Sequence, residues 1–194
     1  MARLTGLSPE YVERANLRVR IDRFTKELLR DERRTVGRLD SRFTGIDRDA
    51  AGERTEYDPS YTNIYGPFTA TLNDYARREL KYESDLPYEI LTGRVQPWSY
   101  EGYQNRYLNV AEPLRSAMTE NPALRVFVAS GYYDLATPYF ATEYVLNHMM
   151  LDASLRDHIE IREYESGHMM YIHEPSMVRL REELLGFYER AAAR

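Results

Sequence analysis

Leu124-Arg125-Val126-Phe127-Val128-Ala129-Ser130 and Ile159-Glu160-Ile161-Arg162-Glu163-Tyr164 decide the fold of this chain. The first run is short, mostly apolar, contains β-branched residues and stops at Gly131, as a buried parallel strand does. The second alternates with the period of two that marks a strand with one face inward. Between them, Thr137-Pro138 reads as an N-cap followed by a proline at the first helical position, and Phe140, Tyr144, Val145, Met149 and Leu151 supply a helix face. After the second strand, Glu174-Pro175 opens a last helix carrying Met177, Leu180, Leu184, Phe187 and Tyr188. The order β-α-β-α predicts two parallel strands in one sheet with a right-handed crossover, so both carboxyl ends open onto the same edge.

Upstream the pattern changes, with the boundary near Asn121-Pro122. Residues 1–120 read as helices and loops, and 121–194 as the α/β segment. Ser8 as N-cap, Pro9 and Glu10 open a helix predicted to run to about Leu29, with Val12, Leu17, Ile21, Phe24 and Leu28 on its packed face. From Arg38 to Ser60 the composition is polar, with Gly45, Gly52, Pro59 and several aspartates. This reads as a mobile connection with little to pack. A second helix is predicted after Gly66-Pro67, on Phe68, Leu72, Tyr75, Ala76 and Leu80, and a shorter one from about Val110 to Thr119.

The bulk composition narrows the classes. A chain of 194 residues, 43% hydrophobic and 29% charged, is built to bury one core rather than two full ones. Its net charge of -5, with both signs mixed along the chain, leaves no electrostatic footprint for nucleic acid or an anionic membrane, so neither partner is expected. The absence of cysteine excludes disulfides, thiolate zinc sites and cysteine nucleophiles. No apolar run of signal-peptide or membrane-spanning length occurs in this stretch, and the compartment stays open. Histidines 148, 158, 168 and 173 lack the spacing of an ordinary zinc site, and no phosphate-cradling glycine pattern is present, so no metal and no cofactor are expected. Arg30, Arg33, Arg34 and Arg38, interrupted by Asp31 and Glu32, read as a solvated helix end.

Two residues carry the chemistry. Asp134 follows the first strand in Gly131-Tyr132-Tyr133-Asp134, and His168 follows the second in Ser166-Gly167-His168-Met169-Met170. Both therefore fall at the same sheet edge, where ligands of open α/β sheets bind. An acid there can hold a histidine's Nδ1 hydrogen and leave Nε2 to act as base. The order, acid and then histidine, is that of the α/β-hydrolase triad when a serine precedes them. His173, next to Glu174-Pro175, is a rival base, but its place at a helix start favours a surface role.

The segments around these residues, GYYDLATP and SGHMMY, together with NPALRVFVASGYYDLATPYFATEYVL, resemble the acid and histidine segments of the serine carboxypeptidase family, especially its bacterial members. The resemblance covers roughly residues 108–190, and residues 1–120 look like that family's helical cap region. It implies the C-terminal part of an α/β-hydrolase sheet preceded by a cap. It also implies hydrolysis of the peptide bond next to a free C-terminal carboxylate by acyl transfer through serine. By the same resemblance Asp134 matches the triad acid, His168 the general base, Met169 a residue lining the substrate site, and Gly167 the glycine before the histidine.

The departure from that family is the nucleophile. A serine elbow needs glycines two positions away on both sides, because the turn is crowded, and none of the ten serines has them. The leading expectation is therefore a chain that supplies Asp134 and His168, needs an N-terminal half bearing the nucleophilic serine, acts on a peptide with a free C-terminus once completed, and is inactive alone. The competing expectations are a non-catalytic binding domain derived from an α/β hydrolase, and an α/β hydrolase of another specificity, such as an aminopeptidase or esterase.

Overall fold

The two strands form where the apolar run and the alternating run predict them, but Val126, Phe127, Val128 and Ala129 of the first are half-buried rather than enclosed, and the second shows no alternation of burial up to Glu163. In the computed structural model, which describes residues 1–193, they are Val126–Gly131 and Ile159–Tyr164, paired in parallel with Val126 opposite Ile159 and Gly131 opposite Tyr164. In chain order the helices are α1 (Ala2–Thr5), α2 (Pro9–Arg14), α3 (Ile21–Glu27), α4 (Pro59–Arg78), α5 (Ala111–Glu120), α6 (Tyr139–Asn147) and α7 (Glu174–Ala192). The strands are β1 (Thr35–Val36), β2 (Thr44–Gly45), β3 (Val126–Gly131) and β4 (Ile159–Tyr164), and short 3-10 turns complete the set. The architecture is mixed α/β, with a β3-α6-β4-α7 order and two two-stranded sheets, β1-β2 antiparallel and β3-β4 parallel.

Residue contacts divide the chain into two units, one of residues 1–60 with 110–194 and the other of residues 61–109. The first sixty residues thus belong with the strands that carry Asp134 and His168. The second unit consists of most of α4 and an irregular segment rich in exposed aromatic and aliphatic side chains, among them Tyr82, Leu86, Trp98 and Tyr107.

The core of the first unit is Met118 from α5 with Met149, Leu151 and Leu155 from the segment before β4; Leu114, Leu124, Val126, Leu146 and Ile159 pack against it. Met149 and Leu151 are buried, as their spacing predicts, but they lie past the end of α6. Phe140, Tyr144 and Val145, the rest of the predicted α6 face, are exposed.

Three helix boundaries differ from expectation. The first predicted helix is two: Ser8 caps α2 as read, its Oγ accepting the Tyr11 amide at 3.1 Å, but Asn16 and Leu17 adopt left-handed φ of 52° and 60° and separate α2 from α3. An asparagine tolerates that conformation and can end a helix that hydrophobic spacing alone would continue. α4 begins seven residues before Gly66 and runs through Gly66-Pro67, because Pro59 is set for a first helical position and the Asp58 carboxylate accepts the Ser60 amide at 3.0 Å. Thr137 is not an N-cap: α6 starts at Tyr139, and the Thr137 hydroxyl points elsewhere.

The largest correction concerns the stretch after Arg34, read as mobile from Arg38 onward. Thr35, Val36, Gly37, Leu39 and Asp40 are buried, and β1 and β2 close a hairpin over residues 35–45. Beyond it, residues 46–56 are strapped to α3 and to the turn that follows it. Lys26 Nζ, buried, pairs with Asp47 at 2.5 Å and donates to the Asp49 carbonyl at 2.7 Å, and Arg30 donates to the carbonyls of Ala50 and Gly52. Arg30 is therefore engaged with backbone, while Arg33, Arg34 and Arg38 are exposed as expected. The stretch holds its place through polar bonds between distant residues, which leave no hydrophobic period in the sequence.

Candidate active site

Parallel pairing carries β3 and β4 to a common end, and the chain continues the pairing briefly past both. The Tyr132 amide donates to the Tyr164 carbonyl at 3.0 Å, and the Tyr133 amide to the Ser166 carbonyl at 3.0 Å. Gly131 is required at this approach. A Cβ there would collide with the carbonyl oxygens of Ser166 and Gly167, closer than any real contact allows.

The two turns bring the predicted pair together. Asp134 Oδ2 lies 2.7 Å from Nδ1 of His168. The acid is only 4% exposed, whereas the His168 side chain is 43% exposed, so the ring spans from a buried anchor to solvent. Its bonds run through Nδ1, to Asp134 and to the Thr137 hydroxyl at 3.3 Å. That arrangement fixes the tautomer with hydrogen on Nδ1 and leaves the Nε2 lone pair available as a base.

Asp134 is held from the other side by its own turn. Oδ1 accepts the amides of Ala136 at 2.7 Å and Thr137 at 3.0 Å, and Oδ2 accepts the Thr137 hydroxyl at 2.6 Å. Burial alone raises this carboxyl, but the bonds from Thr137, from the His168 ring and from the Ala136 amide outweigh it and hold the acid below its ordinary value. The carboxylate is thus charged and oriented. Thr137 was legible as an aspartate-turn partner three residues after an acid, a pattern that competes with helix capping.

The hairpin over residues 35–45 reaches both turns. The Leu135 amide donates to the Arg38 carbonyl at 3.0 Å and the Ser41 amide to the Tyr133 carbonyl at 2.9 Å, on either side of Asp134. The His168 amide donates to the Leu39 carbonyl at 2.7 Å, and the Gly167 amide to Oδ2 of Asp40 at 3.0 Å. Asp40 is completely buried and bound by the Arg42 guanidinium, with Nε at 2.9 Å and Nη2 at 2.6 Å. Apart from the Asp40–Arg42 pair, the partners in these bonds lie more than 90 positions apart in the chain, so the contact between hairpin and turns carries no local signal.

Met169 is 6% exposed, at the head of a 3-10 turn, so its surface is largely enclosed by protein. His173 and Ser176 bond to each other at 2.7 Å at the start of α7, where Ser176 is buried; this is the bonding of a helix terminus. Among the described residues no serine hydroxyl bonds to the His168 ring. His148 stacks on Tyr144 and its Nδ1 contacts that residue's carbonyl oxygen, and no group of three or more histidines and carboxylates among the described residues could hold a metal ion. No helix among the described residues is long and apolar enough to cross a membrane. Comparisons with protein-family models, with curated proteins and with solved structures return no match for this chain.

Proposed function

We propose that this chain supplies the acid and the general base of a serine-type hydrolase of the α/β-hydrolase kind, like that of the serine carboxypeptidases, and that the nucleophilic serine comes from a separate N-terminal half. One observation carries the reading: a buried, charged Asp134 bonded at 2.7 Å to Nδ1 of a half-exposed His168, at the shared end of two parallel strands. In such a hydrolase Nε2 takes the serine proton as Oγ attacks the scissile carbonyl, and later gives it to the leaving amine. Asp134 stabilises the imidazolium formed between those steps. The resemblance of GYYDLATP and SGHMMY to the carboxypeptidase segments supports a peptide with a free C-terminal carboxylate as substrate.

The test is a fluorophosphonate serine probe followed by intact-mass spectrometry, on the chain alone and on the chain folded with a serine-bearing half. The chain alone is expected to remain unlabelled. The pair is expected to label once, on the serine of the added half, with the label lost in His168→Ala. Stoichiometric labelling of the isolated chain that disappears in His168→Ala would place the nucleophile among its own ten serines and overturn the proposal.

A further inference from the structure

We infer that Asp40 is a positioning residue for His168, and that the loop from Arg38 to Arg42 is the common brace of the acid and the base. The inference rests on the reading of His168 as the general base. The loop grips four consecutive residues of the histidine turn: Arg42 donates to the Glu165 carbonyl at 2.9 Å and contacts the Ser166 hydroxyl at 3.5 Å, Asp40 accepts the Gly167 amide, and Leu39 accepts the His168 amide. It also bonds to Tyr133 and Leu135, the neighbours of Asp134, and the Arg42 guanidinium lies 4.9 Å from the centre of the Tyr133 ring. Two turns from different strands are thereby referred to one short loop.

Asp40 is the member on which the others depend. Its carboxylate is the only side-chain acceptor that the loop offers the histidine turn, and it also orients the guanidinium that reaches Glu165. At Gly167 the loop passes so close that a Cβ would collide with Asp40 and with the Leu39 carbonyl. Removal of the carboxylate leaves the Gly167 amide buried without an acceptor and Arg42 without its counter-charge. The histidine turn then has one bond to the loop backbone in place of a clamp.

The experiment follows the Nδ1-bound proton of His168 by NMR in the intact chain. An imidazole N–H held against a carboxylate gives a far-downfield, slowly exchanging signal. Folded Asp40→Ala is expected to lose that signal or exchange it at least about tenfold faster. Asp40→Asn, which keeps an oxygen for the Gly167 amide, is expected to retain it. A purely structural Asp40 would lower the melting temperature in Asp40→Ala and leave the signal of the folded protein unchanged, and that outcome overturns the inference. Should Asp40→Ala fail to fold, amide exchange in the wild-type chain decides. The Gly167, His168, Leu135 and Ser41 amides are expected to open together as one protected group, and unprotected exchange of the Gly167 and His168 amides would refute the brace. Absence of the downfield signal from the wild type would count against the acid–base pair itself, and so against the proposed function, while the amide exchange still decides the brace.

Discussion

Asp134 and His168, 34 residues apart in sequence, meet at 2.7 Å because parallel register brings Gly131 opposite Tyr164 and each strand then turns toward the other. The bond joins a carboxylate that solvent scarcely reaches to a ring that it does. Asp134→Asn keeps the shape but presents an amide, which favours the wrong imidazole tautomer. In the hydrolase proposed here, once completed with a serine-bearing half, kcat for an N-blocked dipeptide is expected to fall on the order of 10⁴-fold, with a much smaller change in KM.

Acid should weaken the fold through the same residue. The carboxyl of Asp134 is held below its ordinary value of 3.8, because its bonds from Thr137, His168 and Ala136 prevail over the effect of burial. A group depressed in the native state contributes stability that is fully present above its unfolded value and disappears as pH falls through the native value. Urea unfolding should therefore show wild type more stable than Asp134→Asn at pH 7, with the gap constant down to about pH 5 and closing below the ordinary value of 3.8.

Thr137→Val removes one of those bonds, along with the weaker 3.3 Å contact of the hydroxyl with Nδ1 of His168. The hydroxyl donates to a charged acceptor at 2.6 Å, while the two amide bonds to Oδ1 are untouched by the change. A hydrogen bond to a charged group contributes about 1.5–3 kcal/mol, and the unfolding free energy is expected to drop by that amount, seen as a lower urea midpoint with an unchanged slope. The carboxyl should also rise toward its ordinary value, so the acid-induced loss of stability should begin at higher pH in the variant.

What the sequence disclosed and what it hid follow from the range of the interactions. β3 and β4 were legible because a short apolar run and a period-two alternation are both local, and Asp134 and His168 because each lies a few residues past a strand end. The Ser8 cap was legible for the same reason. Asp40 was hidden: it is an aspartate in a polar stretch, and what distinguishes it from a solvated loop residue is its burial against the histidine turn, with a bond to Gly167, 127 positions away. Lys26 and Asp47 were hidden in the same way, as two charges whose mutual burial no periodicity announces. The break between α2 and α3 turned on the φ of Asn16 and Leu17, which competed with an unbroken apolar spacing. Thr137 satisfied two local rules, capping and the aspartate turn, and the carboxylate of Asp134 won.

Met118 tests the core beneath the strands. Its side chain is fully buried among Met149, Leu151 and Leu155, with Leu114 and Ile159 alongside. Met118→Ala removes that contact and leaves a cavity that the neighbouring backbones only partly close, at a cost of about 2–5 kcal/mol. The expected result is a shift of that size in chemical denaturation at neutral pH, with retained β3-β4 pairing in the folded fraction by amide exchange.

Gly131→Ala joins stability to the site. The added methyl group meets the carbonyl oxygens of Ser166 and Gly167, which belong to peptide units tied to Tyr133 and Asp40 and to Leu39, respectively, and cannot swing aside as a side chain would. Relief requires the acid turn and the histidine turn to separate, which strains the Asp134–His168 bond and the Tyr133–Ser166 bond together. Overpacking of this kind costs typically about 1–3 kcal/mol, and a contact against backbone belongs at the upper end. Denaturation should show a loss on the order of 3 kcal/mol, and the Nδ1-bound proton of His168 should exchange faster in the folded variant. A stable Gly131→Ala chain with an unchanged His168 proton would mean that the two turns are not in close contact, and that the spacing of acid and base is set elsewhere.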